Sequence, residues 1–250
     1  MVQPSSEDTP WRDDQIRWTD NNLLDEPGTS VEHDLFRPDP RTSFDYDFDG
    51  THISLQGYTM ESDEIYQSTG LTVWRASEHL CRHLVVHQSL LSGDALELGA
   101  GLGMVGILAS KLTDCRLVIT DGDSQALPLL RENVLRNESN ASVRQLIWGL
   151  DSSLSFLEGQ GPFDVILASD IIYVECIIPP LWDTIRTLLK KEGAFVLAFA
   201  KRRVPISIED VLKSVHEAGF VYKRMDLGED AEGIFIYHIM WAEQTEEYSK

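Results

Sequence analysis

Hydrophobic residues in the chain alternate between short continuous runs and segments in which they recur every three or four positions. Continuous apolar runs are typical of strands buried on both faces of a parallel sheet, whereas the wider spacing indicates amphipathic helices. The predicted strands are Ala95–Leu98, Arg116–Thr120, Val143–Trp148, Phe163–Ala168, Ala194–Ala200, Phe220–Asp226 and Ile234–Trp241. Because strands and helices alternate, we predict an α/β fold with a mostly parallel sheet that helices cover on both faces.

Helices are predicted between most of these strands, and local signals mark several of their first turns. Ser124 and Ser207 suit N-cap positions. Pro179 and Pro180 fit the first turn of a helix that ends near Lys191. The other predicted helical segments are Thr72–Leu91, Val105–Leu112, Ser124–Asn137 and Ile208–Ala218.

Hairpins are predicted near both ends of this pattern. Only Gly228–Gly233 separates the last two strands, so these strands should be antiparallel neighbours. Before the first helix, Phe44–Met60 alternates around Asp49-Gly50, which is a turn signal of a short β-hairpin. The sheet should therefore end in an antiparallel pair, with a separate hairpin at the start of the domain.

Residues 1–43 differ from the rest of the chain. They contain ten acidic residues against four arginines, several prolines and little apolar periodicity, which predicts a flexible arm. The domain itself is predicted to span residues 44–250. Residues 44–92 would form its hairpin and first helix, and residues 93–250 its cofactor-binding sheet.

The segment Ala95–Gly106 predicts a strand, a tight turn and the start of a helix. Nucleoside cofactors bind at this junction in open α/β sheets. Gly99, Gly101 and Gly103 suit the turn because glycine accepts a positive φ and lets the backbone approach a ligand closely. Glu97 lies at the end of the strand, where its carboxylate suits a cofactor that carries an ammonium or sulfonium group.

The same glycines leave a dinucleotide-binding interpretation open. Gly101–Gly106 matches GxGxxG, and Asp121 follows about 20 residues later. However, the carboxylate of Glu97 would repel a pyrophosphate, and the motif lies behind a hairpin and a helix rather than at the start of the domain. Asp121 ends the second strand, where it can accept hydrogen bonds from ribose hydroxyls. Its alternative role is a solvated acid near the next helix N-terminus.

A second candidate cluster, Ser169–Tyr173, follows the fourth strand at the sheet edge where such folds bind ligands. Asp170 comes directly after an apolar run, where burying an acid is costly unless it has a partner. Tyr173 brings an aromatic face and a hydroxyl to the same edge. On residue type alone, a helix N-cap for Asp170 and a packing role for Tyr173 are the simpler interpretations.

The composition narrows the classes of partner. The formal net charge of −20 disfavours nucleic acid, whose phosphates are normally neutralised by Lys and Arg, and suits a basic partner. On charge alone, the simpler interpretation is that the acidic surface only serves solubility. The three cysteines form no CxxC pair, so we expect reduced thiols, no metal site and a reducing compartment, the cytosol or nucleus. No apolar run is long enough for a membrane span, and no signal peptide is evident.

The order and spacing of these motifs resemble one group of seven-stranded S-adenosylmethionine-dependent methyltransferases, the small non-SET protein-lysine methyltransferases. The resemblance covers residues 44–242 and includes the D-x-x-Y motif of that group, which Asp170 and Tyr173 match. It is carried by Val73-Trp74, Glu97–Gly103, Thr120-Asp121, Gln145–Gly149 and Ser169–Tyr173. The resemblance implies a Rossmann-like, doubly wound sheet and S-adenosylmethionine as the cofactor.

The resemblance also implies a role for each matching residue. Asp170 and Tyr173 would bracket the incoming amine. The implied cofactor contacts are Trp74 at the pocket wall, Glu97, Gly99, Ala100 and Gly101 near the methionine part, Asp121 at the ribose, Trp148 at the adenine and Ser169 through its backbone. Ile171 and Ile172 replace the two prolines of the (D/N)-P-P-Y motif found in many nucleic-acid amino-methyltransferases, which argues against a planar base amine.

The sequence thus predicts transfer of a methyl group to a side-chain nitrogen, most simply lysine, of a protein substrate. A histidine or small-molecule methyltransferase and a binding protein without catalysis remain alternatives. We expect a monomer that binds neither nucleic acid nor membranes. Substrate choice is assigned to loops at Asp63–Gly70, Leu150–Gly161 and Lys201–Ser207.

Overall fold

The structure, a computed structural model, describes residues 40–201, 206–227 and 233–242. The predicted arm lies outside the described residues except for its last four positions. Of these, Thr42 and Ser43 already belong to the first strand, β1 (Thr42–Phe48), which pairs antiparallel with β2 (Thr51–Gly57) around the predicted Asp49-Gly50 turn. The N-terminal hairpin is therefore confirmed and forms a sheet of its own.

The main sheet has seven strands in the order β5-β4-β3-β6-β7-β9-β8. The first five in this order are parallel, and β9 runs antiparallel between β7 and β8. The strands are β3 (Ala95–Leu98), β4 (Leu117–Asp121), β5 (Ser142–Gln145), β6 (Phe163–Ser169), β7 (Leu189–Ala200), β8 (Phe220–Arg224) and β9 (Ile234–Trp241). The predicted α/β fold class, with its terminal antiparallel pair, is confirmed.

Helices fill the connections between strands. They are α1 (Glu64–Gln67), α2 (Arg75–Val86), α3 (Met104–Leu112), α4 (Ala126–Arg136), α5 (Leu150–Gln160), α6 (Ile178–Leu188) and α7 (Ile208–Glu217). Short 3₁₀ turns lie at Thr69–Leu71, Gln88–Leu91 and Glu175–Ile177. No helix in the described parts of the chain has both the length and the hydropathy of a membrane span.

Several details of the sequence prediction are wrong. The segment Asp63–Gly70, predicted as a loop, contains the short helix α1. The segment Leu150–Gly161, predicted as a loop, forms helix α5 as far as Gln160. Ser124 does not cap α4, because the helix begins two residues later with Gln125 at its N-cap position. The third predicted strand ends at Gln145 rather than Trp148. The predicted cap at Ser207 is confirmed, since its hydroxyl accepts a hydrogen bond from the Asp210 N–H in a capping box.

The hydrophobic core forms two layers, one on each face of the main sheet. Helices α2, α3 and α4 and the hairpin cover one face, and α5, α6 and α7 cover the other. Strand β3 is buried along its whole length, as the central position in a doubly covered sheet requires. The core therefore fixes the ends of the central strands, where the candidate residues lie.

Two asparagines of α4 attach the N-terminal hairpin to the domain. The fully buried Asn133 accepts a hydrogen bond from the Gln56 N–H and donates to the Gln56 and Leu102 carbonyls. One turn later, Asn137 makes the same pair of bonds with the Ser54 backbone. These side chains thus hydrogen-bond the edge of β2 as a neighbouring strand would. Through Leu102, Asn133 also connects the hairpin to the glycine turn.

We expect Asn133→Ala to lower the free energy of unfolding by about 2 kcal/mol or more, because it leaves several buried backbone groups without partners. The measurement is urea unfolding followed by circular dichroism. The control is Glu132→Ala, one position away, which removes an exposed ion pair with Arg41 and should change stability by less than about 1 kcal/mol. Equal effects of the two substitutions would contradict this role for Asn133.

Candidate active site

The candidate active site is a cavity of about 450 Å³ at the carboxyl ends of the central strands. Strand β3 lies between β4 and β6, so the connections run in opposite directions on its two sides, and open α/β sheets bind ligands at such a point. The volume is typical of small-molecule sites. The cavity brings together all ten sequence-predicted site residues: Trp74, Glu97, Gly99, Ala100, Gly101, Asp121, Trp148, Ser169, Asp170 and Tyr173.

The glycine turn between β3 and α3 forms the base of this cavity. Gly99, Gly101 and Gly103 have φ angles of 62°, 53° and 87°, which L side chains rarely adopt. A Cβ on Gly101 would lie 3.0 Å from the carbonyl oxygen of Gly70, a backbone atom that cannot move away easily. The Gly101 N–H donates to Asp121 at 2.8 Å. Glycine is therefore required here by both conformation and close approach.

Glu97 lies almost completely buried beside the turn, with 2% of its surface exposed. Its Oε2 accepts a hydrogen bond of 2.8 Å from the Gly106 N–H, near the start of α3. Burial, with a smaller contribution from the charge of Asp121, raises the pKa of Glu97 to about 8, although the hydrogen bond from Gly106 opposes the shift. A cation bound in the cavity would favour the ionised form of this carboxyl.

Asp121 ends β4 on the other side of the turn. One carboxylate oxygen accepts from the Gly101 N–H and the other from the Asp123 N–H at 2.9 Å. Burial raises the pKa of Asp121, and the backbone hydrogen bonds lower it. Each carboxylate oxygen can accept more than one hydrogen bond, so both retain capacity for ribose hydroxyls.

Aromatic side chains line the upper part of the cavity. The indole N–H of Trp74 donates to the Thr69 carbonyl at 2.9 Å, which fixes the ring. The buried indole nitrogen of Trp148 has no hydrogen-bond partner among the described residues. Tyr173, 40% exposed, lies where the cavity meets the surface.

Asp170 lies deeper than Tyr173 and is only 8% exposed. Its Oδ2 accepts a hydrogen bond from the Ala76 N–H at 3.1 Å, and its Oδ1 accepts from the Ala200 N–H at 2.9 Å. The carboxylate therefore lines the cavity while it is held by the backbone of α2 and β7. The first of these bonds caps the start of α2, although Asp170 is not itself an N-cap residue: that position belongs to Trp74 in α2 and to Ile177 in α6.

Some residues that line the cavity could not be predicted from the sequence. Gly70, which packs against Gly101, gave no usable signal because the two residues meet only through the fold. Ile147 and Ile177 also line the cavity and occur in apolar segments that predict ordinary packing. Asp123, two residues after Asp121, accepts a hydrogen bond from the Gln125 N–H and also lines the cavity.

The sheet order and the glycine-turn cavity define a class of nucleoside-cofactor-binding folds that includes solved methyltransferases. The structure is similar to that of a T. thermophilus 16S rRNA methyltransferase, with a TM-score of 0.59 and 15% identity over 82% of this chain and 51% of that chain. At this identity the likeness shows the fold alone.

The sequence identifies the family within this class. Residues 56–217 match the profile of the family described as lysine methyltransferase, and the chain belongs to that family. It is 34% identical to mouse protein N-lysine methyltransferase METTL21A over 58% of this chain and 68% of that protein. It is 29% identical to Chaetomium thermophilum protein-lysine N-methyltransferase EFM3 over 68% of this chain and 53% of that protein. The matches thus span about half to two thirds of these relatives.

Proposed function

We propose that this protein transfers a methyl group from S-adenosylmethionine to a lysine side chain of a protein substrate. The observation that carries the proposal is the single cavity in which the glycine turn, Asp121 and the pair Asp170 and Tyr173 converge. The family and the printed names of the relatives support a lysine acceptor. The net charge of −20 supports a protein rather than a nucleic-acid substrate, and a basic segment around the lysine.

The residues in the cavity fit the cofactor. Only a glycine at position 101 leaves room over the backbone for a ligand, and Asp121 offers acceptors for ribose hydroxyls. The indole nitrogen of Trp148, which has no partner within the part of the chain that the structure describes, is a donor that a nucleobase could satisfy. Glu97 supplies a carboxyl that a positively charged ligand would ionise. Dinucleotides, which carry a pyrophosphate, fit this acidic cavity less well.

The bound sulfonium supplies an activated methyl group, and the protein must align an amine with it. A lysine amine has a pKa of about 10.4 and is mostly protonated at neutral pH. The negative charge of Asp170 attracts this cation, and Tyr173 contacts its stem at the cavity mouth. A neighbouring carboxylate raises the pKa of an amine, so Asp170 orients the lysine, and water takes its proton before the nitrogen reaches the methyl.

Labelling with tritiated S-adenosylmethionine tests the proposal. The full chain is incubated with a cell lysate, and labelled proteins are hydrolysed to amino acids and analysed by mass spectrometry. We expect label in methylated lysine. Label in methylhistidine or in small molecules would support the alternatives left open by the sequence. Failure of the chain to bind the cofactor would overturn the proposal.

We expect Tyr173→Ala to lower turnover about 10- to 100-fold, because the amine loses the side chain that positions it. The affinity for S-adenosylmethionine, measured by calorimetry, should stay within about threefold of the original protein. Leu135→Ala, at an exposed position of α4 outside the cavity, is the control and should leave turnover unchanged. Turnover in Tyr173→Ala equal to that of the control would remove Tyr173 from the acceptor site.

A further inference from the structure

Helix α2 begins beside the cavity without a capping side chain of its own. Its N-cap residue is Trp74, which makes no side-chain cap hydrogen bond. The acceptor for the Ala76 N–H comes instead from Asp170, 94 positions along the chain, at 3.1 Å. A carboxylate at a helix N-terminus is favoured both by the hydrogen bond and by the helix dipole. Asp170 thus caps α2 from another element.

The same side chain holds a second element. Its other oxygen accepts from the Ala200 N–H at the end of β7, and its own N–H donates to the Ala198 carbonyl at 2.9 Å. The residue adopts a φ of 58°, which is uncommon for every residue except glycine, although asparagine and aspartate adopt it more often than other residues do. These contacts fix a strained turn at the end of β6, as is found at sites where the surrounding structure determines the geometry.

The helix start that Asp170 holds forms one wall of the cofactor cavity. Thr72, Val73 and Trp74, which lie two to four positions before Ala76, line the cavity, and so does Ser77, which follows it. A displacement of this first turn would therefore move the Trp74 ring. The turn that contains Asp170 also leads into Tyr173 at the mouth of the cavity.

We infer that Asp170 is a positioning residue for the cofactor, which it orders through the Trp74 end of α2. This inference rests on the proposed function, which identifies the cofactor as S-adenosylmethionine. It gives Asp170 a second role, in addition to attracting the lysine amine. A residue that acts only on the acceptor has no effect on cofactor binding in the absence of acceptor. The positioning role of Asp170 predicts such an effect.

The test measures binding of S-adenosylmethionine by calorimetry without any acceptor. Asp170→Asn keeps one acceptor oxygen and tolerates a positive φ, whereas Asp170→Gly removes the carboxylate and relieves the strain. We expect a roughly tenfold loss of affinity in Asp170→Asn and a larger loss in Asp170→Gly. The control is Asp210→Asn, which weakens the capping box of α7 outside the cavity and should leave affinity unchanged.

A double-mutant cycle shows whether the effect passes through Trp74. In a Trp74→Ala background, Asp170→Asn should cost much less affinity than in the original protein, because the ring that Asp170 positions is already absent. An equal loss in both backgrounds, or unchanged affinity in Asp170→Asn and Asp170→Gly, would overturn the inference. Thermal unfolding of each variant establishes that it is folded. If the original protein binds no cofactor, the proposed function fails instead.

Discussion

Replacing Gly101 by alanine is expected to lower the affinity for S-adenosylmethionine about 100-fold, a change of roughly 2.7 kcal/mol. Alanine is strained at the φ of 53° that this residue adopts, and its Cβ would lie 3.0 Å from the Gly70 carbonyl oxygen. Relief of this contact must displace either the Gly70 segment or the turn. Because the Gly101 N–H is bonded to Asp121, such a shift also moves the proposed ribose acceptor.

The matched control for this substitution is Gly159→Ala in α5. Gly159 has no atom within 4 Å of the position that a Cβ would take, and no positive φ. Alanine there should leave cofactor affinity unchanged and increase stability slightly, since it favours helix. Calorimetric titration of both variants gives the comparison. Cofactor affinity in Gly101→Ala within threefold of the control would show that the turn does not approach the ligand.

Hydrophobic periodicity predicted the helices and strands that bury a continuous apolar face. It failed to predict helix α5, which buries little apolar surface. All seven strands of the main sheet, with the terminal antiparallel pair, follow from apolar runs and glycine-containing connections. Helix α5 was missed because its fully buried position is Ser153, which bonds to Thr184, while Leu150 and Leu154 are exposed. Only Phe156 and Leu157 of α5 pack against the core, and both are partly buried, so the apolar stripe is too short to predict the helix.

The candidate site was predicted as a set of residues but not as a network of contacts. Residues at the ends of parallel strands must share one edge of the sheet, so Asp121 and Asp170 could be placed near the glycine turn. The hydrogen-bond partners of these two carboxylates could not be predicted from the sequence. The bond from Ala76 to Asp170 joins positions far apart in the sequence and depends on how α2 packs against the sheet. Family resemblance gave the residue roles, and the tertiary structure adds the helix cap.

Acidic groups dominate the electrostatics of the cavity. Glu97, Asp121, Asp123 and Asp170 all line it, and none of the Lys and Arg residues in the described parts of the chain does. The charge of Asp121 raises the pKa of Glu97, and the charge of Asp123 raises the pKa of Asp121, so repulsion adds to the cost of ionising both Glu97 and Asp121. A ligand with positive charge removes this cost. The cavity is therefore suited to a cationic cofactor and a cationic acceptor. The affinity for the cofactor should then depend on pH.

Glu97 should make the affinity for S-adenosylmethionine rise with pH. Its pKa is about 8 in the cofactor-free protein, chiefly because the carboxyl is buried, so it is mostly protonated at pH 7. A cationic ligand favours the carboxylate, and binding below pH 8 must then release a proton. If only the ionised form binds, affinity should be roughly 20-fold higher at about pH 8.5 than at about pH 6.5. Calorimetry in buffers of different ionisation enthalpy measures both the affinity and the proton released.

Glu97→Gln separates this effect from titration of the cofactor itself. Glutamine can still accept the hydrogen bond from Gly106 but carries no charge. The variant should therefore bind the cofactor weakly at every pH, and binding should release no proton from position 97.

The dependence of folding stability on pH gives an independent test of the Glu97 pKa. Because the folded-state pKa lies above the value of 4.5 that an exposed glutamate has, the stability that Glu97 contributes is present below about pH 4.5 and is lost as pH rises through about 8. The variant should therefore unfold at higher urea concentration than the original protein at alkaline pH. Identical pH profiles of cofactor affinity in the two proteins would show that Glu97 does not meet the positive charge of the ligand.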